Sequence, residues 1–141
     1  LRKSRLDVWA SLDFVNGDLT DKRTGLKVPL PFVSREKVKL GVTYNYRDQF
    51  VVTPTVSWIG QSHSFTINPS SPFFGKTAVP GYTLVNLYVE RRNIAKNTSL
   101  FVRVSNLLNR RYFNAGSAGG FSFLRAPQEQ RWLTAGITHT Y

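Results

Sequence analysis

Apolar and polar side chains alternate along residues 131–141, the last part of the chain. Because the side chains of a strand point alternately to opposite faces, the alternation predicts a strand with one apolar side. That side carries Leu133, Ala135, Ile137 and Tyr141. The other side is small and hydroxylic after Trp132. A strand of this kind that ends on an aromatic residue is typical of a membrane β-barrel, whose closing strand leaves no free edge in lipid.

Five further strands are predicted by the same period-two pattern. Four of them cover about residues 5–15, 36–46, 50–59 and 81–91, and the fifth follows the turn at 92–97 and includes the alternating residues 100–105. Helical periodicity is weak throughout, since Gly, Pro, Asn and Thr interrupt every run long enough for a helix. Pro54 falls inside the third strand and has no N–H for the ladder, so we expect a bulge or local break there.

The connections between these strands alternate in length. Residues 16–35, 60–80 and 109–130 are long polar stretches, whereas 47–49 and 92–97 are short. Transmembrane barrels sort their connections in this way, with long outer loops and short periplasmic turns. Each strand has about ten residues, which suits a tilted crossing of the hydrocarbon layer. A periplasmic carboxyl terminus then places all the long loops outside.

The composition narrows the class of protein. With 19 Lys and Arg against 8 Asp and Glu in 141 residues, the formal net charge is +11. This excess is compatible with nucleic-acid binding, with contact to an anionic membrane surface, or with a segment of a larger protein whose acids lie elsewhere. The sequence has no cysteine, which excludes a disulfide framework and a thiolate metal site. It also lacks the run of about 18 apolar residues that a membrane-spanning helix needs.

Candidate catalytic and metal-binding groups are few. His63 lies between Ser62 and Ser64 in a long loop, but nothing supplies the orienting acid and oxyanion site that a nucleophilic serine needs. His139 lies near the end of the last strand, and two distant histidines without cysteine do not suggest zinc. The stretch 116–120 is glycine-rich but lacks the Lys-Ser pair and helix of a phosphate loop. We therefore expect no catalytic residue, no metal site and no cofactor.

Several charged residues fall on the polar side of the predicted strands, which would face the lumen of a barrel. They are Asp7, Asp13, Lys39, Glu90 and Arg103. No two acids of the chain stand at a catalytic spacing. The favoured interpretation is a network of salt bridges that hydrates the barrel wall, and the alternative is a ligand site.

Four arginines near the last long loop allow two interpretations. They are Arg110, Arg111, Arg125 and Arg131. Together with the neighbouring phenylalanines they resemble a nucleic-acid surface. However, the charges cluster at strand ends and loops and avoid the apolar sides of the strands. Contact with lipopolysaccharide phosphates is therefore favoured over nucleic acid, because arginine binds such oxyanions through paired donors.

Four segments resemble the carboxyl-terminal end of TonB-dependent outer-membrane receptors. They are residues 37–44, 80–87, 100–112 and 131–141. The third is the most specific, because its run Asn106-Leu107-Leu108-Asn109-Arg110-Arg111-Tyr112 is similar to the family's Asn-Leu-Phe-Asp-Lys-Arg-Tyr. The chain departs from that pattern mildly within the run, and it ends on Tyr where the family more often has Phe.

The resemblance implies an all-β fold, an antiparallel transmembrane β-barrel fragment. Residues 1–141 would form about six carboxyl-terminal strands of the 22-stranded type of barrel. The plug domain and the segment that contacts TonB would lie outside this chain. The implied location is the outer membrane of a Gram-negative bacterium.

The resemblance also implies a function, namely energised uptake of a scarce nutrient without catalysis. The nutrient classes are siderophore-bound iron, haem, cobalamin, a metal or a glycan. Implied partners are outer-membrane lipid and lipopolysaccharide, the TonB complex and the barrel assembly machinery. The family presents its last strand to that machinery as an assembly signal, and the matching residues here are Leu133, Ala135, Ile137 and Tyr141.

Two other classes of protein stay open at this point. One is a soluble, basic β-sheet module that binds nucleic acid or a partner protein. The other is a small complete pore formed by oligomerised hairpins. A plug-like domain encoded upstream of residue 1 would favour the receptor, and a start codon close upstream would favour the other two.

Overall fold

The chain folds as an antiparallel meander of strands in a computed structural model that describes residues 3–20, 22, 25, 27–66, 75–116 and 124–140. These residues form β1 (Arg5–Phe14), β2 (Asp18–Thr20), β3 (Lys27–Pro29), β4 (Glu36–Tyr46), β5 (Phe50–Ile59), β6 (Ser62–Thr66), β7 (Gly75–Val79), β8 (Tyr82–Ala95), β9 (Thr98–Ser105), β10 (Phe113–Ala115), β11 (Arg125–Pro127) and β12 (Trp132–His139). Six of them make one sheet in the order β1-β4-β5-β8-β9-β12. This confirms the predicted all-β class and the six main strands. The sheet is open, because β1 and β12 form its two edges.

Three short hairpins lie where the sequence predicted long loops. They pair β2 with β3, β6 with β7, and β10 with β11. The six strands predicted from the sequence therefore do not include these hairpins. Strands of three to five residues are too short to show a period in the sequence.

The bounds of β4 and β5 match the prediction, whereas β8 is longer than expected. It includes residues 92–95, which were assigned to the turn at 92–97, and ends at Ala95. The register between β8 and β9 shifts between Arg91 and Ala95. Asn93 lies within the shift and has a φ of 54°. This irregularity interrupts the alternation, which explains why the sequence pattern ends the strand too early.

Of the two outcomes expected at Pro54, the structure shows the local break in the ladder and not the bulge. The pairs between β4 and β5 pass from Gly41–Thr55 to Tyr44–Val52 without a change of register. On its other side, Pro54 lies opposite Leu87 in β8. The ladder with β4 therefore skips the positions around the proline, while the strand itself stays straight in register.

The register of the six-stranded sheet places the predicted apolar residues on one face. Residues directly opposite each other point to the same side. The pairs of this apolar face include Val8–Val42, Leu40–Val56, Val56–Val85, Val89–Val102 and Ala135–Val102. The pairs of the other, polar face include Asp7–Thr43, Lys39–Ser57, Thr55–Asn86, Tyr88–Arg103 and Thr134–Arg103. The alternation in the sequence thus predicted both faces correctly.

The apolar face is open to its surroundings. Leu12, Leu133 and Ile137 are 66%, 65% and 68% exposed. Within the described residues, the buried hydrophobic side chains are Val51 and Val79 alone. The chain therefore builds a wall rather than a hydrophobic core, and something else must cover the wall.

The chain produced by itself is expected to associate and not to stay a monomer in plain buffer. Its apolar face and its two unpaired edges both favour aggregation. Sedimentation in buffer and in detergent micelles measures this, with refolding from urea in each. A monodisperse monomer with a cooperative melt in plain buffer would contradict the expectation.

Candidate functional site

The three long connections meet at one end of the sheet, which we call the long-loop end. The backbone N–H of Phe32 in the first connection donates to the carbonyl of His63 in the second at 2.7 Å. The hydroxyl of Ser64, also in the second, donates to the carbonyl of Leu124 in the third. Ser64 is fully buried by this contact. The connections thus form one packed group above the end of the sheet.

A pocket of about 440 Å³ lies beneath this group on the polar face. Its polar lining consists of Ser34, Lys37, Lys39, Ser62, Tyr82 and Asn114, with Phe32 and Ile59 beside them. The two lysines come from β4, and the other residues come from β5, β6, β8, β10 and the first connection. The pocket therefore exists only when the three connections are folded together.

Lys37 and Lys39 give the pocket a positive charge. Alternation along β4 places both on the polar face. Asp13 lies opposite Lys37 in β1, but no ion pair of the described residues includes it or either lysine. Ammonium groups without a carboxylate partner, next to hydroxyl and amide groups, are suited to an anionic ligand.

Tyr82 fixes the third connection to the rim of this pocket. Its hydroxyl donates to the side-chain oxygen of Asn114 at 2.8 Å. Its ring lies 4.4 Å from the ring of Tyr112, centroid to centroid. Burial raises the pKa of Tyr112, and the carboxylate of Glu129 raises it further. Tyr112 therefore stays neutral and can pack against Tyr82 over the whole physiological pH range.

Hydrogen bonds of two asparagines, Asn86 and Asn106, join β8 and β9 at the long-loop end of the sheet. No structural role was assigned to them from the sequence. Asn106 is 4% exposed and has a φ of 50°, a conformation that asparagine adopts more easily than most residues. Its side chain accepts from the N–H of Arg110 at 2.9 Å and donates to the carbonyl of the same residue at 2.8 Å. Its own N–H donates to the side chain of Asn86 at 2.9 Å.

The middle of the polar face has a second concavity, near Arg103. The guanidinium of Arg103 lies 5.7 Å from the centre of the Tyr88 ring. The hydroxyl of Thr53 donates to that of Thr43 at 3.1 Å. Polar groups of this kind line the wall without converging on one point, so they suit a hydrated surface rather than a catalytic centre.

Two aromatic rings lie flat over glycines on the same face. A Cβ at Gly41 would come within 2.4 Å of the Trp9 ring, and one at Gly136 within 2.6 Å of the Phe101 ring. Each ring and its glycine are directly opposite in neighbouring strands. Both positions need glycine for this close approach.

Among the described residues, the salt bridges on the polar face are separate pairs and not the network that was expected. Asp7 pairs with Arg5 at 2.8 Å, and Glu90 pairs with Arg92 at 3.3 Å. Both pairs join residues two apart on one strand, and among the described residues they do not link up across strands. Asp13, Lys39 and Arg103 share the polar face without entering these pairs.

The four arginines of the last loop all lie exposed at the long-loop end. Arg110, Arg111 and Arg131 flank the end of β9 and the start of β12. Arg125 differs, because its guanidinium donates to the carbonyl of Ala78 at 3.0 Å and so ties β11 to β7. Contact of these residues with lipopolysaccharide stays a prediction.

The other candidate residues from the sequence, the two histidines and the apolar residues of the last strand, lie in different parts of the structure. The ring of His63 lies 3.3 Å from the amide nitrogen of Gln61, and that of His139 lies 2.8 Å from the hydroxyl of Thr98. Across the described part of the chain, no cluster of His, Asp and Glu could hold a metal ion. Leu133, Ala135 and Ile137 are exposed on the apolar face. Tyr141, 117–120 and the phenylalanines at 121 and 123 lie outside the described residues.

Three solved structures of receptors each contain a part with the same fold as this chain. The siderophore receptor PiuA of Acinetobacter baumannii matches with a TM-score of 0.72 and 19% identity, over 96% of this chain and 20% of that one. The ferripyoverdine receptor of the outer membrane of Pseudomonas aeruginosa, solved bound to ferripyoverdine, matches with a TM-score of 0.67 and 23% identity, over 94% and 17%. The ferric enterobactin receptor PfeA of Pseudomonas aeruginosa matches with a TM-score of 0.67 and 19% identity, over 96% and 20%.

The chain thus spans about a fifth of the length of these receptors or less. At such identities the likeness concerns the fold, and it confirms the predicted receptor-barrel architecture. No protein-family model and no curated protein matches the chain. In the part of the chain that the structure describes, no helix is long and apolar enough to cross a bilayer.

Proposed function

We propose that the chain is the carboxyl-terminal part of the barrel of a TonB-dependent receptor in the outer membrane of a Gram-negative bacterium. The observation that carries the proposal is the match of nearly the whole chain to siderophore receptors of this type. The plug domain and the segment that contacts TonB would then lie in other parts of the protein. This part supplies barrel wall, outer loops and no catalytic group.

The apolar face supports a position in lipid. β1, β4 and β5 have 10, 11 and 10 residues, and a tilted transmembrane strand needs about 9–11. Trp58 lies on this face near the long-loop end, and Tyr44, Tyr46 and Phe50 lie near the opposite end. Aromatic residues near both ends of the strands agree with this position, because membrane barrels carry aromatic girdles at their two interfaces. A soluble module that binds nucleic acid is not favoured, because it would leave this face in water.

The pocket at Lys37 and Lys39 is the proposed contact site for the nutrient. The long-loop end faces the exterior in this orientation, so the pocket opens toward incoming ligand. An iron chelate with anionic oxygens fits the two ammonium groups and the surrounding hydroxyls. A bare metal cation and a neutral glycan fit the lysine pair less well, since neither offers a negative charge to the two ammonium groups. Haem, with its two propionate groups, stays compatible with the pair.

Changing Lys37→Gln and Lys39→Gln together is expected to weaken binding of a ferric chelate by about tenfold or more. Each lysine contributes charge-assisted hydrogen bonds, which are worth about 1.5–3 kcal/mol. Binding of iron-labelled chelates to whole cells, at several salt concentrations, is the measurement. The panel contains anionic and neutral chelates.

Lys96→Gln is the matched control, because Lys96 lies in the turn at the opposite end of the sheet. It should leave binding unchanged. Folded receptor in outer membranes is counted in parallel by its heat-modifiable migration on gels. Equal binding of all chelates by the wild type and the double variant, at equal receptor levels, would contradict the proposed contact site.

Two further roles belong to the same proposal. Arg110, Arg111, Arg125 and Arg131 contact lipopolysaccharide phosphates at the outer rim, supported by their exposure at the long-loop end. Leu133, Ala135, Ile137 and Tyr141 act as the signal for the barrel assembly machinery. The support for the signal is the open edge of β12, which must gain a partner strand in lipid.

A further inference from the structure

The end of the apolar face away from the long loops, the short-turn end, carries two arginines among aromatic rings. The guanidinium carbon of Arg91 lies 4.2 Å from the centre of the Phe50 ring. That of Arg47 lies 5.1 Å from the centre of the Tyr46 ring. Arg91 stands opposite both Phe50 and Leu100 in the register, which places it on the apolar face. A cation on this face is unexpected, since the neighbouring positions in the register, Val52, Val89 and Val102, are hydrophobic.

Neither arginine has a carboxylate partner among the described residues. Arg91 makes one hydrogen bond there, to the side-chain oxygen of Gln49 at 3.2 Å. Asp48, the acid next to Arg47 along the chain, is held by the side chain of Asn45 at 3.1 Å, and Glu90, the acid next to Arg91, pairs with Arg92 at 3.3 Å. A guanidinium has five N–H donors, so most donors of both arginines remain for a ligand.

The turn between β4 and β5 holds Arg47 in a left-handed backbone conformation, which an arginine rarely adopts. Arg47 and Asp48 have φ values of 48° and 56°, and the N–H of Gln49 donates to the carbonyl of Tyr46 at 2.9 Å. Asparagine, aspartate and glycine adopt this left-handed conformation readily in primed turns, so Asp48 suits its position, whereas the conformation costs Arg47 about 1–2 kcal/mol. Strain that persists beside an unpaired cation points to a role for that cation.

We propose that Arg47 and Arg91 bind the phosphate of an anionic phospholipid in the leaflet at the short-turn end. The inference rests on the proposed function, because it needs the apolar face to lie in lipid. Arginine binds phosphate oxygens through paired donors, and the rings of Tyr46 and Phe50 keep both guanidinium groups at the level of the headgroups. The acyl chains then cover the apolar face next to Leu100. Free inorganic phosphate shares the charge but offers nothing to cover that face.

The test titrates phosphatidylglycerol into the delipidated protein, expressed from its gene and purified in a neutral detergent. Native mass spectrometry counts the bound lipid. Arg91→Gln is expected to weaken binding about fivefold, and Arg47→Gln with Arg91→Gln about thirtyfold, as each arginine near an anionic lipid surface contributes about the same free energy. Phosphatidylcholine, whose headgroup has no net charge, should bind the wild type and the double variant equally weakly.

Arg92→Gln is the matched control, because it removes the same charge one residue further along β8. Arg92 pairs with Glu90 at 3.3 Å and so belongs to the polar face. This variant should bind phosphatidylglycerol like the wild type. An equal loss with Arg92→Gln would reduce the effect to overall charge and overturn the site.

Inorganic phosphate and vesicle insertion separate the other outcomes. If inorganic phosphate at the same concentration displaces the lipid, the site binds free anions and the lipid proposal is overturned. If the protein inserts into vesicles but the double variant binds phosphatidylglycerol as tightly as the wild type, the proposed lipid site is wrong. The proposed function is then unaffected. If the protein does not insert at all, the proposed function falls together with the site.

Discussion

Val56→Arg is expected to destabilise the inserted protein by about 2–4 kcal/mol. Val56 lies near the middle of β5, opposite Leu40 and Val85 on the apolar face. An arginine there places a charge in hydrocarbon, and this cost is largest near the centre of the bilayer. Unfolding by urea in lipid vesicles measures the free energy of the wild type and the variant.

Thr55→Arg provides the control at the same depth. Thr55 is the preceding residue of β5 and lies on the polar face opposite Asn86. An arginine there points into the hydrated lumen, so its cost should be well below that of Val56→Arg. Since a shift of one residue exchanges the two faces, equal costs for the two variants would show that the assigned faces are wrong.

Asn106→Ala is expected to be the most damaging change at the long-loop end, at about 2–4 kcal/mol. It removes two part-buried hydrogen bonds, in which the side chain of Asn106 accepts from the N–H of Arg110 and donates to its carbonyl. It also forces alanine into the left-handed conformation. Thermal unfolding in detergent measures the loss. Trypsin cleavage at Arg110 and Arg111 measures the opening of the third connection.

Two further variants distinguish the loss of the side-chain hydrogen bonds from the strain of the left-handed backbone. Asn106→Gly restores the backbone conformation but not the side chain, so it should recover about 1 kcal/mol of the loss. Asn109→Ala serves as the control, because Asn109 is exposed and has a φ of 52°, and its side chain accepts a single bond, from the N–H of Arg131 at 3.0 Å. If Asn109→Ala were as damaging as Asn106→Ala, the buried network would not be what holds this connection.

The wall of the protein was predictable from the sequence, whereas its ends were not. Along β4 and β5 the alternation of side chains is uninterrupted enough to give the bounds of both strands. The alternation did not give the end of β8. Polar residues and the left-handed Asn93 interrupt the pattern there, before the last residue that pairs with β9. At Pro54 the expected local break was correct and the alternative bulge was not, because the missing donor leaves a gap in the ladder without displacing the strand.

The candidate site was predictable only in part. Lys39 was recognised as a polar-face cation because alternation reveals which face a residue occupies. The pocket around it depends on contacts such as that between Phe32 and His63, which join distant parts of the chain and leave no period in the sequence. Asn106 was noticed for its place in a motif, but its partner Asn86 lies in another strand, so its structural role could not be read from spacing.

The order of strands in the sheet repeats their order along the chain, because each main strand pairs with the main strands next to it in sequence. A sheet with this strand order can gain or lose whole hairpins during evolution. Gain or loss of two consecutive strands, together with their turn, leaves every other pairing intact and keeps both chain ends on the same side. Duplication of hairpins therefore offers a route by which barrels of different circumference arise from one repeated unit, and it favours even numbers of strands.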